Sequence, residues 1–149
     1  VNSAGDEWAP VVSADGKRLL FATDGRGGKG KHDLFIASRK AHRWVDPRNL
    51  EVLNSAEEDF DAAFLIDDRS IVYSRGELDG KVELYLSLYR EGQLQRGVRL
   101  DATINAIAAD AWTFGPSISP HDPGALYFTS RRAEHRGRAD IYRIEYTLE

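Results

Sequence analysis

Apolar residues in this chain fall in short runs broken by turn residues, and no stretch carries the helical spacing i, i+3, i+4, i+7. Arg18-Leu19-Leu20-Phe21-Ala22-Thr23, Ser70-Ile71-Val72-Tyr73-Ser74 and Ala125-Leu126-Tyr127-Phe128-Thr129-Ser130 are rich in aromatic and β-branched residues, which predicts strands. Each is followed by a polar, glycine-containing loop and then by a run that opens acid, aliphatic, aromatic: Asp33-Leu34-Phe35, Glu83-Leu84-Tyr85 and Asp140-Ile141-Tyr142. Each is also preceded by a turn and a shorter extended segment, at 9–13, 61–65 and 113–119. Asp15-Gly16 and Pro123-Gly124 mark two of those turns.

The pattern is a repeat. Trp8, Phe60 and Trp112 recur at intervals of 52 residues, and an acid stands two positions before each: Asp6, Glu58 and Asp110. A weaker fourth segment, 44–53 and 98–104, closes the first two copies and runs into Asn54 or Asn105; Asn2 holds the matching place before the first copy. The third copy shows no evident fourth strand. Four short strands per unit of about 52 residues predict an all-β fold of antiparallel propeller blades, at about 6–53, 58–104 and 110–149, the last incomplete, in one β-propeller domain.

The runs APVVSADGKRLLFATDGRGGKGKHDLFIA and GPSISPHDPGALYFTSRRAEHRGRADIYRI resemble the TolB-like (PD-type) propeller repeat. That repeat runs from an acid through Pro and a small strand to Ser-Pro-Asp-Gly, then an aromatic strand ending in Ser-Asp-Arg, a glycine-rich loop and Asp-Ile-Tyr. Ala14-Asp15-Gly16 stands for the turn in the first copy, and Ser119-Pro120 with Pro123-Gly124 for a variant of it in the third. The second copy departs, because Ile66-Asp67-Asp68 lacks both Pro and Gly. The resemblance implies a periplasmic or secreted protein of the bacterial envelope, acting as a non-catalytic protein- or peptide-binding scaffold. The alternative it leaves open is an enzyme: a propeller glycosidase, or the accessory propeller of a peptidase. Propellers close with about four to eight blades. Three copies therefore imply either a second copy of the chain closing a six-bladed ring as a homodimer, or half of a longer propeller.

The composition is that of an ordinary globular domain, with 149 residues, 42% hydrophobic and 30% charged. A net charge of −4 argues against nucleic acid as a partner. No apolar run approaches the roughly 20 residues of a membrane span. The absence of cysteine excludes disulfides and thiolate metal sites. There is no methionine and the first residue is Val1, which fits a chain that begins after processing or belongs to a longer one.

Gly25-Arg26-Gly27-Gly28-Lys29-Gly30-Lys31 fits seven positions of the phosphate-binding pattern G-x-x-x-x-G-K, but His32 stands where Ser or Thr should hold Mg²⁺. A P-loop also has to open a helix, whereas both flanks here read as strands, so the stretch reads as a hairpin loop. The recurring acids Asp6, Glu58 and Asp110, with Glu57, Asp59 and Asp61 beside them, suggest an acidic channel mouth able to hold a cation or a basic peptide. The competing reading is structural: each acid caps a turn or pairs with an arginine. Trp8, Phe60 and Trp112 read as wedges between blades or as a binding platform. Asp33, Glu83 and Asp140 are expected to pair with Arg26, Arg75 and Arg131. The run EEDFD raises calcium, but it lacks the spaced ligands and glycine of an EF-hand loop, so no cofactor is expected. The four histidines lack zinc-site spacing and are expected on loops, most of them exposed, which leaves no predicted metal site. Gly115-Pro116-Ser117-Ile118-Ser119 is not a nucleophile elbow, because glycine is missing where Ser119 stands. No catalytic residue is therefore expected.

Overall fold

A computed structural model of the chain describes residues 1–109, 111–132 and 137–148; Asp110 lies outside the described residues. The first sheet holds β1 (Glu7–Val12), β2 (Arg18–Thr23), β3 (Asp33–Lys40) and β4 (Arg43–Asn49) in that order. The second holds β5 (Glu58–Phe64), β6 (Ile71–Gly76) and β7 (Val82–Ser87). A small hairpin of β8 (Tyr89–Arg90) and β9 (Gln93–Leu94) follows, and then β10 (Val98–Arg99) pairs back onto β7. The third sheet holds β11 (Thr113–Ser119), β12 (Asp122–Ser130) and β13 (Asp140–Glu145). Every strand pairing within these sheets is antiparallel, and there is no helix among the described residues.

The period of two along each strand sends alternate side chains to opposite faces. On β2, Leu20 and Ala22 join Leu34 against the second sheet, while Leu19 and Phe21 turn away to meet Phe35, Ala37 and Trp44. The second sheet is buried on both faces. Phe60, Ala62, Phe64, Ile71 and Tyr73 pack toward the first sheet, and Ala63, Leu65, Val72 and Leu84 pack toward Leu126 and Phe128 of the third. This explains why successive residues of the central β6, Ile71, Val72 and Tyr73, are all apolar and buried.

Each sheet's first strand carries a bulge at the same place. Register slips between Trp8 and Val11, between Phe60 and Ala62, and between Phe114 and Ser117. The residue after each aromatic has positive φ: Ala9 at 47°, Asp61 at 41° and Gly115 at 63°. Trp8 faces Ala22, Phe60 faces Ser74 and Phe114 faces Thr129, and those partners in turn face Leu34, Leu84 and Ile141. The structural counterpart of Trp8 and Phe60 is therefore Phe114, not Trp112. The intervals are 52 and then 54 residues, and Trp112 itself occupies the place that Asp6 and Glu58 hold in the other copies.

The residues Asn54 and Asn105 carry a second repeated device. Asn54 accepts the N–H of Leu34 at 2.8 Å and donates to the same residue's carbonyl at 3.0 Å. Asn105 does the same to Leu84, at 2.7 and 3.0 Å. Each amide acts as a short surrogate strand where the fourth segment has turned away, so the buried edge of the third strand keeps its hydrogen bonds. Asn105→Ala leaves the Leu84 N–H buried without a partner. It is expected to cost about 2–3 kcal/mol, read as a lower urea midpoint with an unchanged slope.

Candidate functional site

The glycine-rich stretch 24–32 is the connection between β2 and β3, as its flanks predict. Its backbone amides do cradle an anion, but the anion belongs to the chain. Lys29 N and Gly30 N donate to the two Asp33 carboxylate oxygens at 2.7 and 3.0 Å, and Asn49 Nδ2 adds a third bond at 3.2 Å. A Cβ at Gly28 would collide with that carboxylate, and one at Gly30 with the carbonyl oxygens of Ser55 and Glu57. Close approach, not phosphate, accounts for the glycines.

With Asp33 satisfied by its own loop, Arg26 is not its partner; the guanidinium instead donates to the carbonyls of Val1 and Asn2 at 2.6 and 3.3 Å. Arg75 likewise does not bridge to Glu83, which is held by Lys81 and Arg99 at 2.7 and 2.5 Å. It reaches across to Asp59, its register neighbour on β5, at 2.7 Å. A fully buried carboxylate creates the stronger demand for a cation.

The six acids of the expected channel mouth therefore separate, with Glu57 exposed and its N–H donating to Ser55 Oγ at 3.1 Å. Glu58 is buried and accepts the His32 N–H at 3.1 Å and the ring Nδ1–H at 2.8 Å. Asp59 is wholly buried and accepts Ser55 N and Oγ besides Arg75; burial pushes its carboxyl up, against the pull of the guanidinium. Both belong to the interior because the start of β5 is covered by the β2–β3 loop, whose His32 carbonyl accepts the Asp59 N–H at 2.9 Å. Asp6 is exposed, and its N–H donates to Asp24 Oδ1 at 2.8 Å. Asp110 is outside the described residues, and the register gives the third place of the ring to Trp112. Asp61 stands on the β5 bulge, half-buried, with no hydrogen bond or ion pair to any described residue, and burial pushes its carboxyl above the usual range.

Of the aromatics, Phe60 is inside the core between the first and second sheets, and Trp8 and Trp112 pack against the same core half-buried. Trp112 donates its Nε1–H to the Gly80 carbonyl at 2.8 Å and meets Phe114 edge-on. Trp8 lies flat on His32, with ring centroids 3.6 Å apart and planes 20° apart. His42 and His121 are exposed as expected, and His135 lies outside the described residues. His32 is not exposed: only 7% of its surface is accessible. The signal was in the repeat, because the strand register makes Val82, a buried apolar residue, its counterpart in the second copy.

The three first strands come together, with β5 packed against both β1 and β11. At their far ends they border a groove of about 360 Å³ walled by Val11, Phe64, Ile66, Pro116 and Ile118. Its one carboxylate, Asp68, bonds Arg18 at 2.7 Å and the Ala14 N–H at 2.8 Å.

No protein-family model and no curated protein matches this chain. Among solved structures, the crystal structure of TolB from Acinetobacter baumannii superposes with a TM-score of 0.60 at 16% identity, over 98% of this chain and 31% of that one. The likeness shows a TolB-like, all-β fold, and the chain spans about a third of that protein's length.

Asp61 yields a pH prediction. A carboxyl whose folded pKa lies above its unfolded value binds more protons in the native state, so stability falls as pH rises from the unfolded value through the folded one. Asp61→Asn removes the charge and suits the positive φ. It is expected to raise Tm at pH 7 by about 2–4 °C. The gain should vanish below the ordinary Asp value of 3.8. A thermal-melt difference that does not change with pH would contradict the assignment.

Proposed function

We propose that this chain is a non-catalytic binding scaffold, three β-propeller blades of a bacterial envelope or exported protein, which holds a basic, extended peptide segment of a protein partner beside Asp61. The observation that carries this reading is the state of that carboxylate. It sits on a first strand, partly desolvated, with no cation among the described residues. A lysine or arginine supplied by a partner would recover in binding what burial costs the free protein. The apolar groove on the same strands offers walls for the partner's neighbouring side chains.

An enzymatic alternative, a propeller glycosidase or the accessory propeller of a peptidase, has less support. A glycosidase needs two carboxyl groups, one free to donate a proton and one free to attack or to activate water. The groove's Asp68 is tied to Arg18, and Asp122 and Glu145 at a second concavity both pair with Arg143.

The test is fluorescence anisotropy with a labelled, arginine-rich extended peptide. Asp61→Asn is expected to weaken binding by about tenfold, with a reduced salt dependence. Unchanged affinity in that variant would remove the reading, and its expected higher Tm guards against an unfolded control.

The blades, at about 6–53, 58–104 and 110–149, form half of a six-bladed ring that a second copy closes. Light scattering on a sizing column is then expected to give about twice the 16.7 kDa of one chain. A mass of one chain would overturn the two-chain ring.

A further inference from the structure

The β2–β3 loop brings a third kind of chemistry to the junction of the first two sheets. One ligand atom each of Asp6, Asp24 and His32 lies within 4.8 Å of the others. Asp6 precedes β1, Asp24 follows β2 and His32 precedes β3, so the strand ends of a single sheet gather all three. Two acids in proximity would prove nothing, but the imidazole between them is unusual. Its Nε2 is buried and hydrogen-bonds no described residue.

Every other feature of that ring is fixed. An ionised carboxylate only accepts, so the 2.8 Å bond assigns a hydrogen to His32 Nδ1, and in the neutral ring Nε2 then carries the lone pair. Trp8 covers a ring face at 3.6 Å, which fixes the orientation without occupying the in-plane direction of the Nε2 lone pair. A carboxylate on one nitrogen and a free lone pair on the other is the arrangement that orients histidine for a metal and raises its basicity. A buried lone pair without a donor is costly in a merely structural histidine. The second copy confirms that packing alone does not require it, since Val82 fills the equivalent position.

We infer that Asp6, Asp24 and His32 form a binding site for a divalent first-row transition metal of the zinc class, with Glu58 as the positioning residue behind His32. One imidazole nitrogen and two carboxylates suit Zn²⁺, whereas Ca²⁺ and Mg²⁺ favour all-oxygen shells. Bond lengths of about 2.0–2.2 Å place donors about 3.3–3.6 Å apart in a tetrahedral site, so the cluster has to contract. Asp6 and Asp24 are exposed and able to make that movement, while His32 stays fixed. The Asp6 N–H already holds Asp24 Oδ1, leaving Oδ2 for the metal. Three protein ligands leave a fourth position for water or for a donor from a partner. The site shares no residue with the peptide-binding reading and stands or falls separately.

Isothermal titration of ZnCl₂ into the EDTA-stripped full chain tests this, with the Asp6→Asn/Asp24→Asn double variant in parallel. Both substitutions are at exposed positions, and circular dichroism verifies that the variant is folded. The expected result is one Zn²⁺ per chain, with affinity in the variant lower by about 100-fold or more, at least the loss that removal of a single outer-shell partner causes. Co²⁺ in place of Zn²⁺ should give the intense visible bands of a tetrahedral site. No saturable binding, or equal affinity in the variant, overturns the site. Displacement of Zn²⁺ by equimolar CaCl₂ overturns the assignment of metal class.

Discussion

The second sheet has no face that can meet water, and the rest of the architecture answers that constraint. Phe60, Phe64, Ile71 and Tyr73 on one side and Leu65, Val72 and Leu84 on the other are all buried. Each such side chain contributes about 1.5–3 kcal/mol when removed from water, so neither flanking sheet is optional. The first and third sheets are held face to face with it by apolar contact more than by any ion pair. The surface pairs, such as Lys40 with Asp46, are exposed and contribute little.

An apolar junction in turn dictates where polar groups can be. Backbone that passes through it must be bonded, which is the work of Asn54 and Asn105 and of the Tyr73 hydroxyl, which donates to the Leu53 carbonyl at 3.1 Å. Burial pushes that hydroxyl's pKa far up, so it stays a donor. Thr113 and Ser130 satisfy one another at 2.9 Å at the second junction. By the same rule Glu58 and Asp59, carried into the interior by the start of β5, become structural. Asp61, displaced by the bulge, keeps its charge unspent. The difference between a scaffold acid and a candidate site acid is thus a matter of two or three residues along one strand.

Much of this was legible in the sequence. Strands, turns, the hairpin nature of the glycine loop and the recurrence of Asn54 and Asn105 all follow from local chemistry. The phase of the third copy did not. Trp112 and Phe114 are two residues apart, and a slip of two keeps every side chain on its own face, so the hydrophobic pattern is the same in either register. Only the cross-strand pairing of Phe114 with Thr129 decides it. The arginine partners were hidden for a related reason: Arg75 has an acid beside it on each neighbouring strand, Asp59 and Glu83, and the buried one wins. His32 was hidden because the polar, glycine-rich loop itself does not mark its last residue as interior, and only alignment with Val82 of the second copy does so. The β8–β9 hairpin lies where the sequence carries no repeat signal.

Repetition offers a control that a single-copy fold lacks, and the two junctions can be compared residue by residue. At both, an asparagine clamps the third strand, and at both a backbone bond crosses between sheets: Asp59 N to His32 O at 2.9 Å, and Val82 N to Ala111 O at 3.2 Å. Features present twice are what the architecture needs. Among the described residues, the first junction alone adds the anion-cradling loop, the Glu58–His32 bond, the Trp8 stack and two exposed acids. The second does without them, with Val82 in the histidine's place, and is no less buried for it. The buried Glu58 accounts for one nitrogen of that imidazole, whereas the buried Nε2, which bonds no described residue, adds nothing that the valine of the second copy lacks.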